Sequence, residues 1–113
     1  MTQEELQIGD WLYRPDCYDR VVEIRLNGII GQDSNRGLIP FSELKPIEIT
    51  PEILEKNFEK DPNWIDGYKL NHDVHIYKLM VWNIEYMDLV AIRYVHELQH
   101  ALRLCKIEKE IIL

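Results

Sequence analysis

The feature that most constrains this chain is an amphipathic stretch near its C-terminal end, residues 91–105. At about 100° per residue, its apolar residues fall on one side of a helix. These residues are Ala91, Tyr94, Val95, Leu98, Ala101, Leu102 and Cys105. An apolar side of this kind must be covered by another element. We therefore predict a C-terminal helix over residues 92–105, packed on a sheet that the rest of the chain supplies.

The first part of the chain, residues 6–46, has the pattern of short strands. Residues 8–13 and 20–26 are rich in β-branched and aromatic side chains, and Asn27-Gly28 is a tight-turn signal between strands. Pro40 lies in a further short apolar run and predicts an edge strand. Several short strands with tight turns predict a small curled sheet of the SH3-like kind.

The middle of the chain predicts a short helix and a β-hairpin. Thr50 can cap a helix over residues 50–60, with Pro51 at its first position. Residues 64–86 are rich in aromatic and β-branched residues and predict two strands around a turn at 71–73. The predicted fold class is α+β, with residues 1–113 as a single domain.

Composition restricts the classes of partner. The chain has 113 residues, an ordinary 46% of hydrophobic residues and a net charge of −7. That charge disfavours a nucleic acid polymer and an anionic membrane surface. The acidic start is unlike a signal peptide, and no apolar run approaches the about 18 residues of a spanning helix. Cys17 and Cys105 are predicted to be free thiols of a reducing compartment.

Residues 96–100 read His-Glu-Leu-Gln-His, which matches the zinc-peptidase motif H-E-x-x-H. On a helix, His96 and His100 lie one turn apart and can bind one Zn²⁺, with Glu97 as the general base. This gives one hypothesis for the function, a zinc-dependent hydrolase.

Three sequence observations count against zinc. Arg93 and Arg103 flank the two histidines on the same side of the predicted helix, and two fixed positive charges beside a dication are unfavourable. A catalytic site needs a third protein ligand, and the position six residues after His100 is Lys106. Glu97 is also explained as the surface ion-pair partner of Arg93, four residues earlier. Whether His72 or His75, near the predicted turn, joins the helix site is left open.

The polar side of the predicted helix carries Arg93, His96, His100 and Arg103 within an arc of about 80°. Two arginines and two histidines in a row are suitable contacts for a phosphate or a carboxylate. The alternative interpretation is a solvated polar face without a ligand. We predict these four residues as a ligand-binding site, with no metal and no cofactor.

Two segments, Ile49-Thr50-Pro51-Glu52-Ile53-Leu54-Glu55-Lys56-Asn57 and Tyr94-Val95-His96-Glu97-Leu98-Gln99-His100-Ala101-Leu102-Arg103-Leu104-Cys105, carry a family resemblance. The chain resembles small proteins without assigned activity that are encoded by phages and prophages of gut Bacteroidales. The resemblance implies that the histidine at position 100 is dispensable. It also implies a glycine at position 106, so that Lys106 would remove a flexible helix cap.

The resemblance implies a phage or prophage accessory protein, cytoplasmic in the bacterial host. The residues on the polar side of the predicted helix predict that it is non-enzymatic and acts by binding. One version is a counter-defence protein that sequesters a phosphate-bearing, nucleotide-like host signal. Another is a protein-interaction or structural factor, and a homo-oligomer is left open. The zinc-dependent hydrolase remains the alternative from a different class.

Overall fold

The computed structural model describes residues 1–15, 17–33, 37–62, 67–70, 74–77, 79–83 and 88–113. The chain divides into two compact units, Met1–Ile47 and Glu48–Leu113. The division falls between the predicted curled sheet and the predicted short helix. The prediction of a single domain is not tested by this division and stays a prediction.

The first unit is a four-stranded antiparallel meander. Its strands are β1 (Trp11–Arg14), β2 (Cys17–Arg25), β3 (Gly28–Gly31) and β4 (Leu38–Pro40), and they lie in chain order. A 3-10 turn, Phe41–Glu43, follows β4. Tyr13 then exchanges both backbone hydrogen bonds with Lys45, at 2.9 and 2.8 Å, so the sheet curls back onto β1. The predicted curled sheet is confirmed, and Pro40 lies on its edge strand.

The turn between β2 and β3 differs from the prediction. The turn residues are Leu26 and Asn27, and Gly28 is already the first residue of β3. A Cβ at Gly28 would lie 2.2 Å from the carbonyl oxygen of Ile39 on β4. Glycine is therefore needed because β4 approaches closely, and not because of a left-handed turn conformation.

The core of the first unit lies inside this curled sheet. Strand alternation directs Leu12, Val21 and Ile29, each 1% exposed, to the same side. The remaining buried members of the cluster are Leu6, Ile39 and Leu44.

The second unit contains a five-stranded antiparallel sheet and both α-helices. The strands, again in chain order, are β5 (Glu59–Lys60), β6 (Tyr68–Lys69), β7 (Val74–Tyr77), β8 (Met80–Asn83) and β9 (Asp88–Ala91). The predicted two-stranded hairpin over 64–86 is wrong in its second half. Tyr77 pairs with Met80, so the chain reverses between these two residues, where the prediction had one long strand. The predicted turn at 71–73 lies outside the described residues.

Helix α1 spans Pro51–Asn57 and begins as its sequence predicts. The Thr50 side chain accepts a hydrogen bond from the Ile53 amide at 3.3 Å, and Pro51 takes the first turn. At its end, the buried Asn57 side chain bonds the backbone of Ile112 in both directions, each at 2.7 Å. We call this pair of bonds the Asn57 clamp. It attaches residues near the end of the chain to α1.

Helix α2 spans Val95–Leu104, so it begins three residues later than predicted. Its C-terminal end forms a Schellman motif: the Ile107 amide bonds the Leu102 carbonyl at 2.8 Å and the Lys106 amide bonds Arg103 at 3.0 Å. Lys106 occupies the left-handed position of this motif, with φ of 59°. The cap is therefore present, and the expectation that Lys106 removes it is wrong.

The overall class agrees with the prediction. Two antiparallel sheets are combined with two helices, and α2 lies close to the sheet, so the α+β fold is confirmed. Neither helix in the described part of the chain has the length and apolar character to cross a membrane.

Candidate functional site

The glutamate of the H-E-x-x-H motif caps the helix that carries it. Glu97 Oε1 accepts hydrogen bonds from the backbone amides of Arg93 and Tyr94, both at 2.9 Å. These amides precede the first turn of α2, where backbone donors lack helical partners and a negative charge is favoured. The predicted Arg93–Glu97 side-chain ion pair is replaced by this backbone cap.

The two histidines of the motif are less exposed than predicted. His96 is 5% exposed and His100 is half-buried, so the expectation of a solvated polar face is wrong at His96. The His96 ring stacks on the Tyr94 ring, with 5.9 Å between centroids. It also meets the edge of the His100 ring at 5.6 Å. Gln99, at 5% exposed, is buried as well, so α2 is covered over more than its apolar side.

The two arginines of the predicted site lie at opposite ends of α2. Arg93 precedes the helix, is 70% exposed on its side chain and lies 3.7 Å from the Glu48 carboxylate. Its guanidinium also covers the Tyr94 ring at 5.4 Å from the centroid. Arg103 is exposed in the last turn. The prediction that four residues form one row on one helix face is therefore wrong, because Arg93 is not helical and His96 is buried.

The apolar side of α2 is confirmed at its centre and wrong at its ends. Leu98 is 0% exposed and Leu102 is 2% exposed. Ala91 is exposed and belongs to β9, and Cys105 is half-buried where a core position was predicted. The helical period thus identified the correct side only where the chain is helical.

His75 is a buried strand residue on β7, where the sequence predicted a position near a turn. Its Nδ1 makes a short contact with the carboxylate of Asp61, whose side chain is almost completely buried. His72 lies outside the described residues. Within the described residues, no group of three or more His, Cys, Asp or Glu side chains is placed to hold a metal ion.

A second candidate site lies on the outer side of β1 and β2. Trp11 pairs with Arg20 and Tyr13 with Tyr18 across the two strands, and alternation directs all four side chains away from the core. Tyr13 is 37% and Tyr18 is 53% exposed. The two tyrosine rings meet edge to face at 5.8 Å, and the Arg20 guanidinium covers the Trp11 ring at 5.2 Å. We call these four residues the outer aromatic face.

An open depression of about 410 Å³ adjoins this face, with Trp11 and Tyr18 in its lining. Its lining also contains Arg14, which is only 4% exposed. The Arg14 guanidinium lies 3.4 Å from a carboxylate oxygen of Asp19 and 3.4 Å from one of Asp33. Its Nε is 3.1 Å from the Sγ of Cys17. Arg14 is thus buried beside one buried and one exposed carboxylate in the lining of the depression.

The sequence carries a signal for the outer aromatic face that the predicted strands do not include. Residues 11–14 and 17–20 are separated by two residues that include Pro15, a common turn residue. A two-residue connection sets the pairing of Tyr13 with Tyr18, and alternation then places both rings on one side. The predicted strand starts at residue 20, so it omits the first three residues of β2. One of them is Tyr18, and without it the pairing with Tyr13 cannot be predicted.

No family model, curated protein or solved structure matches this chain.

Proposed function

We propose that the protein is a non-enzymatic accessory protein of a phage or prophage and that it binds another protein through the outer aromatic face. The observation that carries the proposal is the arrangement of two exposed tyrosines beside a half-buried tryptophan and a half-buried arginine on adjacent strands. These three residue types are enriched at protein interfaces and among the residues that contribute most to binding. Because these side chains stand on two paired strands, little conformational entropy of the backbone is lost when a partner binds.

The zinc-hydrolase alternative is less well supported. A general base must be within reach of the water it deprotonates. Glu97 Oε1 instead accepts two backbone hydrogen bonds at 2.9 Å, which fixes this carboxylate at the start of α2. The same bonds give Glu97 a structural role without any metal.

Sequestration of a phosphate-bearing signal is also less well supported than binding of a protein. That version needs one anion to reach Arg93, His96, His100 and Arg103 together. Arg93 lies before the helix beside Glu48, and His96 is 5% exposed. We therefore place a protein partner ahead of a small anionic ligand.

The experiment is affinity purification of the tagged protein from the producing bacterium, after chemical cross-linking. Tyr18→Ala removes an exposed ring from the outer aromatic face, and Leu26→Ala is a matched control at an 83% exposed turn position. We expect a partner that is recovered equally with the parent and Leu26→Ala and at least fivefold less with Tyr18→Ala. The proposal is overturned if every recovered protein is indifferent to Tyr18→Ala, or if none is recovered.

A further inference from the structure

A lysine continues the two exposed tyrosines of the outer aromatic face into a row. Tyr13 pairs with Tyr18 across β1 and β2, and on its other side it exchanges backbone hydrogen bonds with Lys45. Residues opposite each other in an antiparallel pair direct their side chains to the same side, so these three side chains follow one another across the sheet. Tyr13 is 37% exposed, Tyr18 is 53% exposed, and Lys45 is exposed as well. We call these three residues the donor row.

The donor row presents hydrogen-bond donors to a partner. The ammonium group of Lys45 has three donors and no acceptor, and the hydroxyl of each tyrosine can donate one hydrogen bond. Tyr13 donates to the carbonyl of Pro15 at 3.4 Å, which is long for a bond between two oxygens and therefore weak. A partner that covers these groups must supply acceptors, because a buried donor without an acceptor destabilises the complex.

A polyproline II segment supplies such acceptors together with apolar surface. Helices and sheets use their backbone carbonyls for internal hydrogen bonds, whereas a polyproline II helix has no internal hydrogen bonds and leaves its carbonyls open. Its conformation is set before binding, so little entropy is lost when it docks on aromatic side chains. The rings of Tyr13 and Tyr18, inclined at 68° with centroids 5.8 Å apart, provide the apolar surface on which prolines can pack.

Lys45 adds a requirement for one negative charge at a defined distance. Two strand spacings, about 10 Å, separate it from Tyr18 along the donor row. One turn of a polyproline II helix contains three residues and advances about 9 Å. A carboxylate three residues from a proline therefore meets the ammonium group while that proline lies on Tyr18. The net charge of −7 disfavours a segment with many carboxylates, so we expect a single one.

We infer that the donor row binds a proline-rich segment of the partner protein, in which one carboxylate lies three residues from a proline. The inference rests on the proposed function, since it specifies what the outer aromatic face binds. The prolines pack on the rings of Tyr13 and Tyr18, and the hydroxyls of these tyrosines donate to backbone carbonyls of the segment. Lys45 pairs with the carboxylate and fixes the direction in which the segment lies.

The test is selection from a random twelve-residue peptide library on the intact chain, followed by fluorescence polarisation with labelled synthetic peptides. Each selected peptide is also made with alanine in place of every proline, and with lysine in place of its acidic residue. Tyr18→Ala removes a ring, and Tyr18→Phe removes only its hydroxyl. Leu26→Ala, at an 83% exposed turn position, is the matched control. Lys45→Glu reverses the charge of the donor row, and circular dichroism verifies that every variant is folded.

We expect proline to be at least threefold more frequent in the selected peptides than in the library, with an acidic residue three positions from a proline. The alanine forms and Tyr18→Ala should each weaken binding at least tenfold, Tyr18→Phe should weaken it at least threefold, and Leu26→Ala should leave it unchanged. Lys45→Glu should weaken binding of the acidic peptide at least tenfold and bind the lysine form more tightly than the parent does.

Four results would each overturn the inference. They are selected peptides without enrichment in proline or without dependence on Tyr18, alanine forms that bind as tightly as the selected sequences, a Tyr18→Phe protein that binds like the parent, and a Lys45→Glu protein that binds the acidic peptide normally. The proposed function is tested separately by the affinity purification. It stands if a partner that depends on Tyr18 is recovered there, even when that partner contains no proline-rich segment.

Discussion

Lys106 adopts a backbone conformation that glycine would adopt at a lower conformational free energy. Its φ of 59° is in the left-handed region, at the position of the Schellman motif where glycine is usual. A side chain with a Cβ raises the energy of this conformation by about 1–2 kcal/mol. Glycine loses about 0.5–1 kcal/mol through the greater freedom of its unfolded chain. Lys106→Gly should therefore stabilise the protein by about 0.5–1 kcal/mol.

Lys106→Ala is the matched control. It removes the same charge near the end of α2 and keeps the Cβ, so any effect of the lysine charge on the helix dipole cancels in the comparison. Urea unfolding followed by circular dichroism measures both variants, and at a common slope the glycine midpoint should exceed the alanine midpoint by about 0.5 M. Equal midpoints for the two variants would refute the argument that backbone strain is stored at this residue.

Three further predictions concern packing, the chain end and metal content. Leu98 is 0% exposed, so Leu98→Ala should lower the free energy of unfolding by about 2–5 kcal/mol. Leu104 is 75% exposed, so Leu104→Ala should change it by no more than about 0.5 kcal/mol. Thermal unfolding that ranks the two variants otherwise would contradict the orientation of α2. Asn57→Ala should destabilise by about 2–4 kcal/mol in urea unfolding, because it removes both bonds of the Asn57 clamp, and a loss below about 1 kcal/mol would count against the clamp. Elemental analysis of the purified protein should find no stoichiometric zinc, and one equivalent that disappears in His100→Ala would restore the metal hypothesis.

The sequence predicted those parts of the fold that depend on local preferences. Thr50 and Pro51 mark the start of α1, and Pro40 marks an edge strand, because capping and the missing amide of proline act within a few residues. Leu98 and Leu102 were assigned to the buried side because periodicity gives the direction of an apolar face.

The remaining parts depend on contacts that no local pattern contains. Periodicity does not give the width of the buried part of a helix surface. His96 is therefore predicted on the solvent-exposed side of α2, whereas it is buried. The role of Glu97 follows from where α2 begins, and a start placed three residues too early made it a mid-helix residue. Leu79 takes a left-handed φ of 56° at the reversal between β7 and β8, where no glycine or asparagine indicated a turn.

The Asn57 clamp also fixes an order of events during protein synthesis. The first 47 residues contain every strand of the four-stranded sheet, so this unit can fold while the rest of the chain is being made. The Asn57 clamp can form only after Ile112, 55 residues later in the chain, has been synthesised. At about 5–20 residues per second this delay is about 3–11 s. During that interval α1 is present without the hydrogen bonds of the Asn57 clamp. Chaperones and proteases can therefore act on a second unit in which this contact has not yet formed.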